Sequence, residues 1–140
     1  MMEKLSKLSA KYLTYYVHAR RWKSELDFFT IEVGFYMHVF SEELIKWIKS
    51  DQLETLKQQL IKLTELINEK HKISELLENQ LQDLELMAEN MLLKSEEEIA
   101  KEQVNLEYLM NDLVHEFRET KKILFKSIEY IIAGANLKVG

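Results

Sequence analysis

Apolar residues recur along this chain in alternating steps of three and four. The first series runs Leu5, Leu8, Tyr12, Tyr15, Ala19, Trp22, Leu26, Phe29, Val33, Tyr36 and Phe40, then passes Glu43, where Leu44 substitutes, to Trp47. Such steps return to one side of an α-helix, whereas a strand would alternate by two. Ser50-Asp51 interrupts the series, and Asp51 with Glu54 three residues on makes an acceptable N-cap pair. A second series follows: Leu53, Leu56, Leu60, Leu63, Ile67, Lys70, Ser74, Leu77, Leu81, Leu84, Ala88 and Met91. Lys70 and Ser74 are its polar intrusions, and Ile73 stands beside them to continue the seam. The run Ser95-Glu96-Glu97-Glu98 reads as a capping box, with acids at the positive end of a helix dipole. Behind it come Ile99, Gln103, Leu106, Met110, Leu113, Phe117, Thr120, Leu124, Ser127 and Ile131, with Gly134 placed as a stop.

The pattern predicts helices over about 4–49, 51–93 and 96–133, with 135–140 as a tail, in a single all-α domain. The expected architecture is an elongated antiparallel bundle of three long helices. A second helix over 51–93 would be about 65 Å long at 1.5 Å per residue. The charged stretch Asn68-Glu69-Lys70-His71-Lys72 offers an alternative, a break near residues 68–73 that would make a four-helix bundle. That stretch contains no glycine or proline, and a polar patch within a long seam is a known way to set register. Three helices are therefore favoured.

Composition agrees. The 140 residues include no proline and three glycines, so long helices meet few breakers. Hydrophobic content of 46% is too high for a disordered chain. The absence of cysteine excludes disulfides, thiolate metal sites and cysteine nucleophiles, and suits a reducing compartment. The opening residues lack a secretory pattern, and the apolar run at 28–40 is broken by Glu32 and His38 and too short for a membrane span. A cytoplasmic location is expected.

Within the first helix, apolar residues exceed what one face can hold. Phe28, Ile31 and Phe35 fall opposite the seam, with His38 at their edge and Gly34 beside them. Burying such side chains is worth about 1.5–3 kcal/mol each. Either another part of the chain covers them, or they form a homodimer or partner interface. The three-helix topology supplies no further segment, which favours the interface. Phe28, Ile31, Phe35 and His38 are the candidate partner-binding residues.

Charge marks a second candidate. Residues 1–23 hold Lys4, Lys7, Lys11, Arg20, Arg21 and Lys23 against Glu3, while the whole chain carries −5. A basic leader, loosely attached over 1–19, would suit nucleic acid or an anionic membrane surface, and Tyr12, Tyr15, Tyr16 and Trp22 could stack on bases. However, Tyr12, Tyr15 and Trp22 are seam positions, so an aromatic core under solvated lysines is the simpler reading.

Catalytic chemistry finds little footing. A bundle-core di-iron site needs Glu-x-x-His pairs, yet none of the four histidines has glutamate three residues before it; the nearest approach is Asp112-x-x-His115. His115-Glu116-Phe117-Arg118-Glu119 carries Glu where the zinc-protease helix needs its second His. There is no nucleophile-elbow or phosphate-loop glycine pattern. No metal, cofactor or small-molecule substrate is expected, and a bundle-core metal enzyme is a distant third reading.

The stretch Trp22-x-x-Glu25-Leu26-x-Phe28 with Glu32, followed by two long Leu/Glu/Lys helices, resembles a group of small bacterial all-helical proteins. The resemblance covers roughly residues 20–133. It implies a long-helix bundle in a bacterial cytoplasm and brings no activity or functional residues. The expected function is thus a non-catalytic structural or protein-interaction module, coiled-coil-like and self-associating or bound to another helical protein. The alternative is the nucleic-acid or membrane-surface adaptor.

Overall fold

A computed structural model describes residue 5, residues 7–40 and residues 50–139. It is an all-α bundle of three helices: α1 (Ala10–Val39), α2 (Ser50–Ala88) and α3 (Glu96–Val139). Trp47 and its neighbours, and Lys4 in the leader, lie outside the described residues. Among those described, no helix is long and apolar enough to cross a membrane.

Helix α1 begins at Ala10, later than residue 4. The Leu8 amide donates to the Leu5 carbonyl in a preceding turn, and Ser9 takes the cap position, its carbonyl accepting from Leu13 N. Helix α2 runs unbroken through 68–73, so the four-helix alternative does not occur. Lys70 is only half-buried there, and Ile73 carries the seam across the polar patch.

The second helix ends at Ala88, five residues before the expected end. Asn90 adopts φ of 60°, the left-handed conformation that asparagine tolerates better than most residues. Its N–H donates to Met87 O at 3.0 Å and Met91 N–H donates to Leu86 O at 2.8 Å, the paired bonds of a Schellman cap. Ser95 then caps α3, its Oγ accepting from Glu98 N–H at 3.1 Å. At the far end α3 continues through Gly134 to Val139, where a stop was expected. A glycine within a helix costs only about 1 kcal/mol, which the rest of a long helix absorbs.

Two compact units can be distinguished, Met1–Phe29 with Lys70–Asp112, and Thr30–Glu69 with Leu113–Gly140. In the first, Tyr12, Tyr16, Ala19, Trp22, Leu26 and Phe29 of α1 are buried, as are Ile73, Leu77, Leu81 and Leu84 of α2 and Ile99, Leu106 and Met110 of α3. Tyr16 hydroxyl donates to Glu85 Oε1 at 3.2 Å, and Lys23 pairs with Glu78 at 2.9 Å. Rising numbers on α1 thus meet falling numbers on α2, so these helices run antiparallel. Tyr16 is buried where Tyr15 was expected, and Tyr15 is half-buried with its carbonyl accepting from Gln103 Nε2 at 3.1 Å.

This unit also holds a buried polar pair. Gln80 Nε2 donates to Ile99 O and to Gln103 Oε1, each at 3.0 Å. Gln80 is 1% exposed, and its own Oε1 is buried without a partner.

In the second unit the core is Val33, Tyr36 and Phe40 with Leu56, Leu63 and Leu66, closed by Leu113, Phe117, Thr120 and Leu124. Thr120 satisfies its hydroxyl within α3 by donating to Glu116 O at 2.9 Å. Lys62–Glu116 and Lys121–Glu32, both at 3.1 Å, bridge helices at the rim.

Candidate functional site

A helix turns about 100° per residue, so residues three, four and seven apart share a face. On α1 the seam takes Leu26, Phe29, Val33 and Tyr36, and Phe28, Ile31 and Phe35 are consequently turned outward. They stand 63%, 68% and 58% exposed. His38, one turn on, is exposed as well.

The second unit adds a member from another helix. Tyr36, almost fully buried, makes edge-to-face ring contacts with Phe35 at 5.5 Å, Phe125 at 5.8 Å and Phe117 at 6.4 Å. Such pairs are worth about 0.5–1.5 kcal/mol beyond their buried area. Phe117 lies behind in the core, while Phe125 is 53% exposed. The outward aromatic surface thus comprises Phe35 of α1 and Phe125 of α3, both braced on one buried ring. Burial, with Glu32 nearby, raises the Tyr36 phenol above its ordinary value. Lys121 lies 4.7 Å over the Phe117 ring and pairs with Glu32, which joins α3 to α1 by an ion pair beside this core.

Phe125 was missed from sequence because it neighbours the seam residue Leu124 and looks like its flank. A helical wheel of α3 alone cannot reveal that it meets Tyr36.

Gly34 shares the outward surface. A Cβ built on it would meet nothing within 4 Å, and among the described residues no glycine has positive φ. Neither packing within the chain nor backbone conformation calls for glycine here, although it weakens the helix by about 1 kcal/mol relative to alanine.

The basic leader turns part of its aromatic content inward. Tyr12, Tyr16 and Trp22 face the core. Lys11 sits 5.5 Å and 5.9 Å from the ring centres of Tyr12 and Tyr15. Arg21 pairs with Glu25 at 3.9 Å and Lys23 with Glu78 at 2.9 Å. Lys7 and Arg20 are exposed.

Among the described residues, no group of three or more His, Asp or Glu side chains comes together to hold a metal. His18 lies against the Trp22 ring at 6.2 Å, and His115 is exposed on α3. A cleft of about 430 Å³ in the first unit is bordered by Gln80, Asp83, Lys94, Glu98 and Glu102. Lys94 spans it to reach Asp83 at 2.7 Å. That hydrogen bond, with Glu98 and Glu102 assisting, holds the Lys94 ammonium above its usual range. The cleft is a polar surface recess with its ammonium already satisfied by carboxylate.

Comparison with known proteins finds no matching family, no matching curated protein and no matching solved structure.

Proposed function

We propose that this chain is a non-catalytic protein-interaction module that self-associates through the outward face of α1. The observation carrying this reading is the open row Phe28, Ile31 and Phe35, three large apolar side chains each more than half exposed, on a helix that also exposes Val17 and Met37. Removing them from water would return about 1–2 kcal/mol apiece, the usual value scaled by the exposed fraction. A homodimer buries this row on both copies, about 6–12 kcal/mol in all, against an association cost of about 4–15 kcal/mol. The reading is therefore of a modest, concentration-dependent dimer whose flanks contribute. Phe125, braced beside Phe35, is the best placed of these.

The cysteine-free chain suits the cytoplasm. The adaptor reading is less well supported, since Tyr12, Tyr16 and Trp22 are buried and, of the four leader aromatics, Tyr15 alone is partly open to solvent beside Lys11.

Light scattering through the micromolar range tests the proposal. The wild-type chain should show a dimer that dissociates on dilution, and Phe35→Glu should be monomeric with unchanged helical circular dichroism. A wild-type chain that remains monomeric at every concentration removes this reading.

A further inference from the structure

We propose that the occupant of this face is a second copy of the chain laid antiparallel, α1 against α1, with Ile31 of each copy seated over the partner's Gly34. The inference rests on the reading of the outward face as the docking surface, and adds its orientation and register.

Asp27, Ile31, Gly34 and His38 are all exposed and are spaced four, three and four apart. This is the spacing of a second helix–helix seam, on the side of α1 opposite its core. Phe28 and Phe35 stand along one edge of it. A two-fold axis crossing α1 between residues 32 and 33 brings each position level with a different one in the other copy. Ile31 meets the partner's Gly34, and Asp27 meets the partner's His38, each twice.

Both matches are complementary. The open space where Gly34 lacks a side chain receives a branched side chain, and a carboxylate faces an imidazole N–H donor. The parallel arrangement has neither advantage. It would set Asp27 against the partner's Asp27, Ile31 against the partner's Ile31, and two glycines together around a gap. Antiparallel pairing also gives the glycine a purpose that its own chain does not supply.

Area sets the scale. Phe28, Ile31 and Phe35 at their observed exposures offer about 350 Å² per copy, against about 800 Å² per partner in a standard interface. These three side chains thus supply less than half of a standard interface, and the rest must come from the polar seam residues and the flanks.

The absence of native cysteine makes cross-linking direct. Ile31→Cys and Gly34→Cys chains, mixed in equal amounts and mildly oxidised, should give the 31–34 heterodisulfide well above the random two-to-one ratio over each homodisulfide, and the random ratio itself would count against the register. Dominant 31–31 and 34–34 products, or no cross-linking above an outward control such as Lys57→Cys, would overturn the antiparallel register. Independently, Gly34→Leu should weaken the dimer at least about tenfold while raising helix stability in the monomer, since leucine is the better helix former. If Phe35→Glu dissociates the dimer but Gly34→Leu leaves it intact, the face is the interface and the proposed register is wrong. If the wild-type chain never dimerises, both fail.

Discussion

Replacing Gln80 by leucine probes the balance of the buried polar pair in the first unit. Gln80 donates two hydrogen bonds, to Ile99 O and Gln103 Oε1, each worth about 0.5–1.5 kcal/mol net. Their loss removes about 1–3 kcal/mol. A further term comes from Gln103, which is 5% exposed; its Oε1 would be left without a donor, at a cost of about 1–3 kcal/mol. In the opposite direction, leucine eliminates the unpartnered Gln80 Oε1, which carries a penalty of the same size. The two stranded-acceptor terms roughly cancel, so Gln80→Leu should destabilise by about 1–3 kcal/mol.

The double variant Gln80→Leu/Gln103→Leu behaves differently. No side-chain amide is then left half-satisfied; the bonds from Gln80 Nε2 to Ile99 O and from Gln103 Nε2 to Tyr15 O are lost, and removal of the unpartnered Gln80 Oε1 offsets them. Stability should return to near the wild-type value, because replacing both partners of a buried polar pair by apolar groups is close to neutral. Urea denaturation of the four chains of the cycle measures this through midpoints at unchanged slope. In thermal melts each kcal/mol should appear as about 3–4 °C for a chain of this size. A coupling energy within about 0.5 kcal/mol of zero would refute the reasoning, since independent sites add to that tolerance.

Two further predictions concern local structure and pH. At the α2–α3 connection, Asn90→Val should cost about 1–2 kcal/mol, because a β-branched residue must take up the left-handed conformation. There too, Ser95→Ala should cost about 0.5–2 kcal/mol through loss of the cap to Glu98 N–H; both are read from denaturation midpoints. In alkali, Tyr16 and Tyr36 should make folding pH-dependent. Burial raises both phenols, with the Glu85 hydrogen bond acting on Tyr16 and Glu32 on Tyr36. The unfolded chain therefore loses these protons first. The stabilisation is fully present below the ordinary phenol value of about 10 and is lost as pH rises through the folded values. Tyr16→Phe/Tyr36→Phe should flatten the fall in melting temperature above that pH, and an unchanged slope would contradict the assignment.

How much was legible in the sequence depended on whether a feature was local. Side-chain direction along a helix follows from position, so the steps of three and four located almost every buried residue of α1 and α3, and the outward turn of Phe28, Ile31 and Phe35. The cap at Ser95 was likewise readable, and the end of α2 could have been read from Asn90, a residue suited to the left-handed turn. Gly134 misled because a glycine permits a helix to stop without compelling it.

Questions of which helix faces which surface were settled only in three dimensions. Whether Tyr15 or Tyr16 entered the core depended on where α2 and α3 lay around α1, and Glu85 and Gln103 supplied the deciding partners. Gln80 reads in sequence as a polar residue beside the seam, yet packing brought it against Ile99 and Gln103 and buried it. Phe125 joined the aromatic surface because Tyr36 reaches it from another helix, and only the packed structure shows open space at Gly34. Periodicity along one helix defines its faces; the neighbours that meet those faces are chosen by packing between segments far apart in the chain.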